Sequence, residues 1–418
     1  MSVGALGSAT ADVDGRGVVA PRGLSFELAC WVGADDGWRC GDEGDAARQS
    51  RVGIAPVLAT TLRVPDGEAV ERVWGVPDGG GLIVVEVENR SAAAIAVAFV
   101  LRPVSGGLLR ALEVRDSVIV VDGQPAVLLP RAPRTWVVAP QGRGGTRAQI
   151  VAGDTSEGVF PGHSDRRGVE GAFVFPVPHR TSVRAVILLD PRRAAAQTGA
   201  PALPDAEVAA RGWRAHLERG LRTDLPDDAL QHAVDASRAT LLLEASSRRR
   251  CTPDVVAALE DWGFDPEAEA AWRRLRMSDR RAASRRPGRS PDPWRRIDAL
   301  LSEASPTITF PGGPAPFLRA VREALVDETG ESVDLLPGFP PEWLGRDLAV
   351  HGVPVAGGDV SFALRWHGER PALLWEGPDA LGLTASALDP GFAAPGVVGR
   401  RSWPAFQSHR APERAPRA

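Results

Sequence analysis

Three acidic residues and a tryptophan lie close together near the start of a predicted helix: Asp254, Glu260, Asp261 and Trp262. Two carboxyl groups roughly 5–10 Å apart can cleave a glycosidic bond when one of them acts as the acid. Residues seven apart share a helix face, so Asp254 and Asp261 can face one ligand, whereas Glu260 and Asp261 point about 100° apart. The three acids are therefore the catalytic candidates. Helix-surface acids at this spacing are usually solvated, and Asp254 also fits a first-turn residue that favours the helix dipole, so a structural role is the favoured interpretation.

Tryptophan is the second feature with chemical potential, because sugar rings stack on indole faces. The chain has 12 tryptophans and no tyrosine. Trp262 and Trp272 are the candidates for substrate binding. Both fall on helical stripes, so packing in a core is the favoured interpretation.

Residue types that are missing exclude several enzyme classes. All 49 basic residues are arginine, a bias typical of a GC-rich bacterial genome. A phosphate-binding loop that ends in Gly-Lys-Ser/Thr, a Schiff-base lysine and a tyrosine nucleophile are thereby excluded. The three cysteines, Cys30, Cys40 and Cys251, are too sparse for a disulfide framework or a zinc site and are predicted to be buried thiols. No metal or other cofactor is predicted.

Charge and hydropathy set limits on the partners. The net charge is −4, and the longest apolar run, residues 92–101, is about half the length of a membrane helix. With no export signal visible, the prediction is a cytoplasmic protein without a membrane partner. Ten arginines between Arg273 and Arg296 form the main basic cluster. Binding of a polyanion there is an alternative function, but no nucleic-acid motif accompanies the cluster, and a solvated or internally paired face is favoured.

The elements that must position these residues change along the chain. Period-two alternation of apolar residues, divided by Gly, Pro and Asp, predicts antiparallel strands over residues 24–190. Helical periodicity follows, and strands return after residue 335. The six predicted helices lie near 205–221, 226–246, 253–263, 266–285, 293–304 and 315–328. The predicted domains are a flexible N-terminus (1–22), a β-sandwich (23–200), a helical-hairpin domain (201–333), a β cap (334–403) and a disordered tail (404–418).

Three stretches resemble the six-hairpin glycosidase-like superfamily, which includes glucoamylase-like and debranching-type enzymes. Residues 83–90, leading into 97–101, look like its N-terminal sandwich, and residues 213–243 look like its joining and first inner helices. Residues 335–343, 360–362 and 366–368 look like its last hairpin and C-terminal cap. The resemblance implies an oligosaccharide or glucan as partner. It supplies no catalytic residue, because no position matches a catalytic motif of the family.

The helical interval is too short for the catalytic barrel that the resemblance implies. Twelve helices in six hairpins need roughly 180 residues, at ~11 residues per helix and ~4 per loop. Residues 203–333 supply 131. The predicted fold is therefore α+β and multidomain: an N-terminal antiparallel β-sandwich, a short α-hairpin domain (a partial α/α toroid) and a small C-terminal β cap. The predicted function is carbohydrate-related with reduced or lost hydrolase activity; the alternative is a non-catalytic carbohydrate-binding or assembly scaffold, and oligomerisation is left open.

Overall fold

A computed structural model describes residues 1–41, 47–142, 144–190, 203–246, 251–283, 292–304, 310, 312–330, 332–338 and 340–404; of residues 281–283 it describes the backbone alone. The chain is an α+β protein in which strands of largely antiparallel sheets outnumber the helices. This confirms the predicted class. Among the described helices, none combines the length and the apolar character that crossing a membrane requires.

The chain divides into two compact units, which we call unit 1 and unit 2. Unit 1 holds Met1–Ala215 and Leu242–Arg250, and unit 2 holds His216–Leu241 and Cys251–Ala418. Two helices, α2 (Ala206–Leu217) and α3 (Asp228–Ser246), contribute residues to both.

The described residues of unit 1 form strands and, besides parts of α2 and α3, one α-helix, α1 (Gly145–Ala152). Its strands in chain order are β1 (Ser2–Gly4), β2 (Thr10–Val13), β3 (Val19–Pro21), β4 (Phe26–Ala34), β5 (Gly37–Arg39), β6 (Ala47–Arg51), β7 (Leu58–Val64), β8 (Gly67–Val76), β9 (Leu82–Asn89), β10 (Ile95–Pro103), β11 (Ala111–Arg115), β12 (Val118–Val121), β13 (Gln124–Leu128), β14 (Thr135–Pro140), β15 (Ser156–Glu157), β16 (His163–Ser164), β17 (Val169–Val177) and β18 (Ser182–Leu188).

These strands form two nine-stranded antiparallel sheets. The first has the order β1-β2-β3-β4-β10-β17-β14-β15, with β5 paired to β4; the second has the order β16-β11-β12-β13-β18-β9-β8-β7-β6. Turns at predicted positions join consecutive strands of the second sheet. Asp66 (φ 55°) lies between β7 and β8, and Asp122 (φ 49°) and Gly123 (φ 80°) lie between β12 and β13.

One continuous core takes alternate side chains from both sheets. Leu28, Val97 and Phe99 of the first sheet and Val85 and Val87 of the second belong to it, and each is buried. The alternation that predicted the strands is therefore the pattern that fills this core.

The first sheet is buried on its other face as well, which the sequence did not indicate. Trp31, Ala98 and Val100 form a second core cluster with Ile150 of α1. No helix was predicted at residues 145–152. The helix begins after Gly144, which has a left-handed φ of 60° and provides no side-chain cap.

The first 21 residues contain three strands, whereas a flexible N-terminus was predicted for residues 1–22. Val3, Val13 and Val19 are fully buried in the shared core. The Asp14 side chain accepts hydrogen bonds from the backbone N–H of Arg16 and of Val18, and so forms the turn between β2 and β3. The predicted tail lies, apart from residue 404, outside the described residues.

Unit 2 contains helices and two smaller sheets. Its further helices are α4 (Pro253–Asp261), α5 (Asp265–Arg274), α6 (Met277–Ala283), α7 (Pro293–Glu303) and α8 (Ala315–Leu325). Its strands are β19 (Arg222–Asp224), β20 (Val326–Thr329), β21 (Ser332–Leu335), β22 (Leu348–Val355), β23 (Gly358–His367), β24 (Arg370–Glu376), β25 (Gly382–Ala385), β26 (Asp389–Pro395) and β27 (Gly399–Ser402). One sheet has the order β19-β22-β23-β24-β27 and the other β20-β21-β25-β26, in which β21 and β25 are parallel.

Each of the six predicted helices has a counterpart, but the helix predicted at 315–328 ends at Leu325, directly before β20, and another is divided. The predicted helix 266–285 is interrupted where Leu275 adopts an extended conformation (ψ 144°) at the end of α5. Its side chain is buried, so the break allows an apolar residue to enter the core. The three cysteines are buried thiols, as predicted.

A carboxyl group is buried between the two sheets of unit 1. Glu71 of β8 is 3% exposed and lies near the thiol of Cys30 on β4, and its Oε1 has no hydrogen-bond partner among the described residues. A Cβ atom on Gly17, whose φ is +91°, would lie 2.0 Å from Oε2 of Glu71, so this position requires glycine. Burial raises the pKa of Glu71 to about 8; the Cys30 thiol opposes the shift and the charge of Asp14 adds to it. The carboxyl group is therefore protonated at neutral pH.

The Glu71 carboxyl group makes unit 1 less stable as the pH rises. Its pKa in the fold is above the ordinary value of 4.5, so the folded chain holds a proton that the unfolded chain releases between pH 4.5 and about 8. The stability that this proton provides is complete below pH 4.5 and is lost on the way to pH 8. We expect the free energy of unfolding of Glu71→Gln to rise relative to the wild type by about 1.4 kcal/mol per pH unit in that range.

Urea unfolding of both proteins at pH 5, 6.5 and 8 measures this difference. Glu157→Gln, at an exposed position of β15, is the matched control and should differ from the wild type by the same amount at every pH. A difference for Glu71→Gln that does not change with pH contradicts a protonated buried carboxyl group.

Candidate functional site

Helix α4 carries the three predicted catalytic acids and begins as its sequence indicates. The Thr252 side chain accepts a hydrogen bond from the N–H of Val255, Pro253 occupies the first turn, and Asp254 is the acid of that turn. The side chain of Asp254 is 58% exposed. This geometry agrees with the structural interpretation of Asp254.

The guanidinium of Arg319, on α8, lies against two of the three acids. Its Nε donates to Oδ2 of Asp261 at 3.1 Å, and its Nη1 lies 4.0 Å from Oδ1 of Asp254. The side chains of Arg319 and Asp261 are 11% and 10% exposed, so their ion pair is nearly buried. Asp254 and Asp261 therefore share a face, as predicted, and that face points at an arginine.

One turn further along α8, Arg322 makes a second buried ion pair. Its Nη2 donates to Oε1 of Glu328 on β20 and, at 2.9 Å, to the carbonyl oxygen of Pro354 on β22. The side chain is 9% exposed. Its Nε is buried and has no hydrogen-bond acceptor among the described residues. A buried N–H donor without an acceptor is rare in folded proteins.

A cleft of about 300 Å³ opens where these elements meet. Its lining consists of Glu260, Asp261, Arg322, Glu328 and residues 354–356. It contains carboxylate acceptors, a guanidinium donor and a short apolar edge, and its volume is near the lower end of the roughly 300–1,000 Å³ of small-molecule sites. The arrangement suits a small polar ligand that both donates and accepts hydrogen bonds.

The cleft brings together some of the predicted site residues and leaves out others. Glu260 and Asp261 both line it, although their side chains were expected to diverge; they are the last two residues of α4, and the cleft lies at that end of the helix. Asp254 is outside the lining. The sequence analysis did not predict that Arg319, Arg322 and Glu328 belong to the site. Arginines on an amphipathic helix give no sequence signal of burial, and Glu328 is recognised only through its pairing with Arg322.

The two candidate tryptophans, for which packing in a core was the favoured interpretation, lie outside the cleft. Trp262 is 0% exposed, its Nε1 donates to the carbonyl oxygen of Leu318 at 2.9 Å, and the guanidinium of Arg238 lies over its ring at 5.8 Å. An indole in this position has no free face for a sugar. Trp272, on α5, is half-buried and is not part of the cleft.

The arginine cluster is described in part. Arg273 pairs with Glu269 on the surface of α5, and Asp292, within the cluster, caps α7 by accepting from the N–H of Arg295. Residues 284–291 lie outside the described part of the chain. Over the described residues, no group of three or more His, Cys, Asp or Glu side chains could hold a metal ion.

A second cleft, of about 470 Å³, lies in unit 1. Its lining is mainly apolar, with Val159 and Phe160 at one side and the side chains of Asp116 and Arg134 as its charged members. None of the predicted site residues belongs to it.

No protein-family model matches the chain, and no curated protein is significantly similar to it.

The buried pair of Arg319 and Asp261 leads to a stability prediction. Arg319→Met leaves the nearly buried carboxylate of Asp261 without its cation, and we expect a loss of about 3 kcal/mol in the free energy of unfolding, measured with urea. Arg319→Met combined with Asp261→Asn should recover much of that loss, because the uncompensated charge is then absent.

Arg273→Met is the matched control for the arginine substitution. It breaks an ion pair whose side chains are 70% and 66% exposed, and it should cost no more than about 0.5 kcal/mol. Equal losses for Arg319→Met and Arg273→Met contradict the special role of the buried pair.

Proposed function

We propose that this protein binds carbohydrate and does not hydrolyse it. The proposal combines the resemblance to six-hairpin glycosidases with the arrangement of acids in unit 2. It interprets the two sheets of unit 1 as the β-sandwich of such proteins, the helices of unit 2 as a reduced helical-hairpin domain and the last strands as the β cap.

The observation that carries the proposal is the engagement of the candidate acids by arginine. Hydrolysis requires two carboxyl groups that face each other across a sugar, one of which gives up a proton. Asp261 accepts a hydrogen bond from Arg319, and Asp254 lies beside the same guanidinium. Their oxygens are thus directed at an arginine rather than at an open space between them.

The number of helices supports the same proposal. Seven α-helices follow residue 203 in the described part of the chain, and the intervening segments outside it, 247–250, 284–291 and 305–309, are too short for five more. A ring of twelve helices that encloses a sugar does not fit, so the site for a sugar must be an open cleft.

Two measurements on the purified full chain test the proposal. On an array of neutral, acidic and sulfated glycans we expect binding to one or more neutral glycans. In a reducing-sugar assay with soluble starch and maltoheptaose we expect no release above a heat-inactivated sample.

Three results would contradict the proposal, each in a different way. Sugar release that Asp254→Ala or Asp261→Ala abolishes identifies an enzyme and overturns the proposal. An absence of binding to every glycan removes the carbohydrate assignment. Binding to heparin and sulfated glycans alone, in a manner that salt abolishes, favours the polyanion function of Arg273–Arg296.

A further inference from the structure

The cleft of about 470 Å³ in unit 1 takes its lining from both nine-stranded sheets. Val114 of β11 and Asp116 of the turn after it come from the second sheet, whereas residues 132–134, before β14, and residues 158–160, after β15, come from the first. β15 is the last strand of the first sheet, and β11 is next to the last strand of the second. The cleft therefore lies at an edge where the two sheets meet.

The floor of this cleft is apolar and well supported. Phe160 is 5% exposed, and its ring makes edge-to-face contacts with Trp136 and Phe173 at centroid distances of 5.0 and 5.4 Å. Such contacts hold the ring in place. Val159, the next residue in the lining, is 90% exposed, so an apolar group placed on this floor would remove its side chain from water.

Two opposite charges border the apolar floor. Asp116 and Arg134 both line the cleft and are exposed. They do not pair with each other, and neither side chain has an ion-pair or hydrogen-bond partner in the part of the chain that the structure describes. A ligand with one charge is attracted by one of these groups and repelled by the other, whereas a ligand with a cationic and an anionic end can pair with both.

The neighbouring strand favours a peptide among such zwitterions. β15 is at the end of its sheet, and it leads directly into Gly158 and Val159 of the lining. The open edge of a sheet can form backbone hydrogen bonds with an extended peptide. A peptide of apolar residues also supplies an ammonium group, a carboxylate and side chains for the floor. A volume of about 470 Å³, in the lower half of the roughly 300–1,000 Å³ of small-molecule sites, restricts it to a short one.

We propose that this cleft binds a short apolar peptide with free termini, about two or three residues long. The carboxylate of the peptide pairs with Arg134, its ammonium group pairs with Asp116, and its side chains cover Phe160 and Val159. The inference goes beyond the proposed function, because it assigns a second class of ligand to a cleft in unit 1 and does not depend on carbohydrate binding.

Titration calorimetry with the full chain at pH 7 and low salt tests the ligand class with five probes. Leucylleucine is compared with its N-acetyl derivative, its C-terminal amide, glycylglycine and leucine. We expect each blocked dipeptide to bind about fivefold more weakly than leucylleucine, since each loses one exposed ion pair. Glycylglycine should bind at least about tenfold more weakly, because it covers no apolar floor. Leucine should also bind at least about tenfold more weakly.

Two substitutions of exposed side chains test the location. Arg134→Gln should weaken leucylleucine binding about fivefold and change the binding of the amide by less than about twofold, because the amide has no carboxylate for Arg134. Asp116→Asn should do the same for leucylleucine and for the N-acetyl derivative. Asparagine tolerates the left-handed φ of 56° at position 116, so this variant keeps the turn.

Arg110→Gln is the matched control, since Arg110 is exposed in unit 1 and lies outside the lining of the cleft. It should leave the affinity for leucylleucine unchanged. If Arg110→Gln weakens binding as much as Arg134→Gln does, the attraction is a general effect of charge and the inference is wrong.

The probe series on the wild type can overturn the inference without any variant. No binding of leucylleucine removes the site. Blocked dipeptides that bind as tightly as leucylleucine remove the roles of Asp116 and Arg134. Leucine that binds as tightly as leucylleucine replaces the peptide with an amino acid. None of these results bears on the glycan array, so the carbohydrate function stands or fails separately.

Discussion

Two nearly buried arginines on one helix fix the arrangement of charge in unit 2. Arg319 and Arg322 lie one turn apart on α8, and a guanidinium removed from water needs a carboxylate and further acceptors to offset its desolvation. Arg319 finds Asp261 at the end of α4, and Arg322 finds Glu328 on β20 and the carbonyl oxygen of Pro354. The ends of three elements are thereby held around α8. The candidate cleft is the space that remains among them.

Glu71 of unit 1 is accommodated in the core without an arginine partner among the described residues. Burial raises its pKa to about 8, so that it enters the core as a neutral carboxyl group. Asp261 of unit 2 is instead paired with the guanidinium of Arg319, as Glu86 of unit 1 is paired with Arg184. The difference matters for function, because a paired carboxylate is a fixed hydrogen-bond acceptor that can recognise a hydroxyl group. The surroundings of each acid therefore determine whether it is a neutral carboxyl group or a charged hydrogen-bond acceptor.

Local signals in the sequence predicted most of the elements but little of the cleft. The strands were visible because every second residue is buried in one shared core, and α4 was visible because Thr252, Pro253 and Asp254 each mark a helix start. Helix α1 was missed because it lacks a capping side chain. The partners of Arg319 and Arg322 could not be predicted, since Asp261 is 58 residues from Arg319 and their meeting depends on tertiary packing.

Under the proposed function, sugar binding without a complete ring of helices is physically possible. Recognition of a neutral ring requires donors and acceptors at fixed positions, and nearly buried ion pairs supply such positions because their geometry is held from several sides. Hydrolysis requires more: two carboxyl groups on opposite sides of one bond, and one of them ready to release a proton. Under the proposed function, the arginines of α8 would provide the first condition and remove the second, since the contacts that fix Asp261 also occupy it. In the proposed function, the same interaction that stabilises the fold of unit 2 therefore separates binding from catalysis.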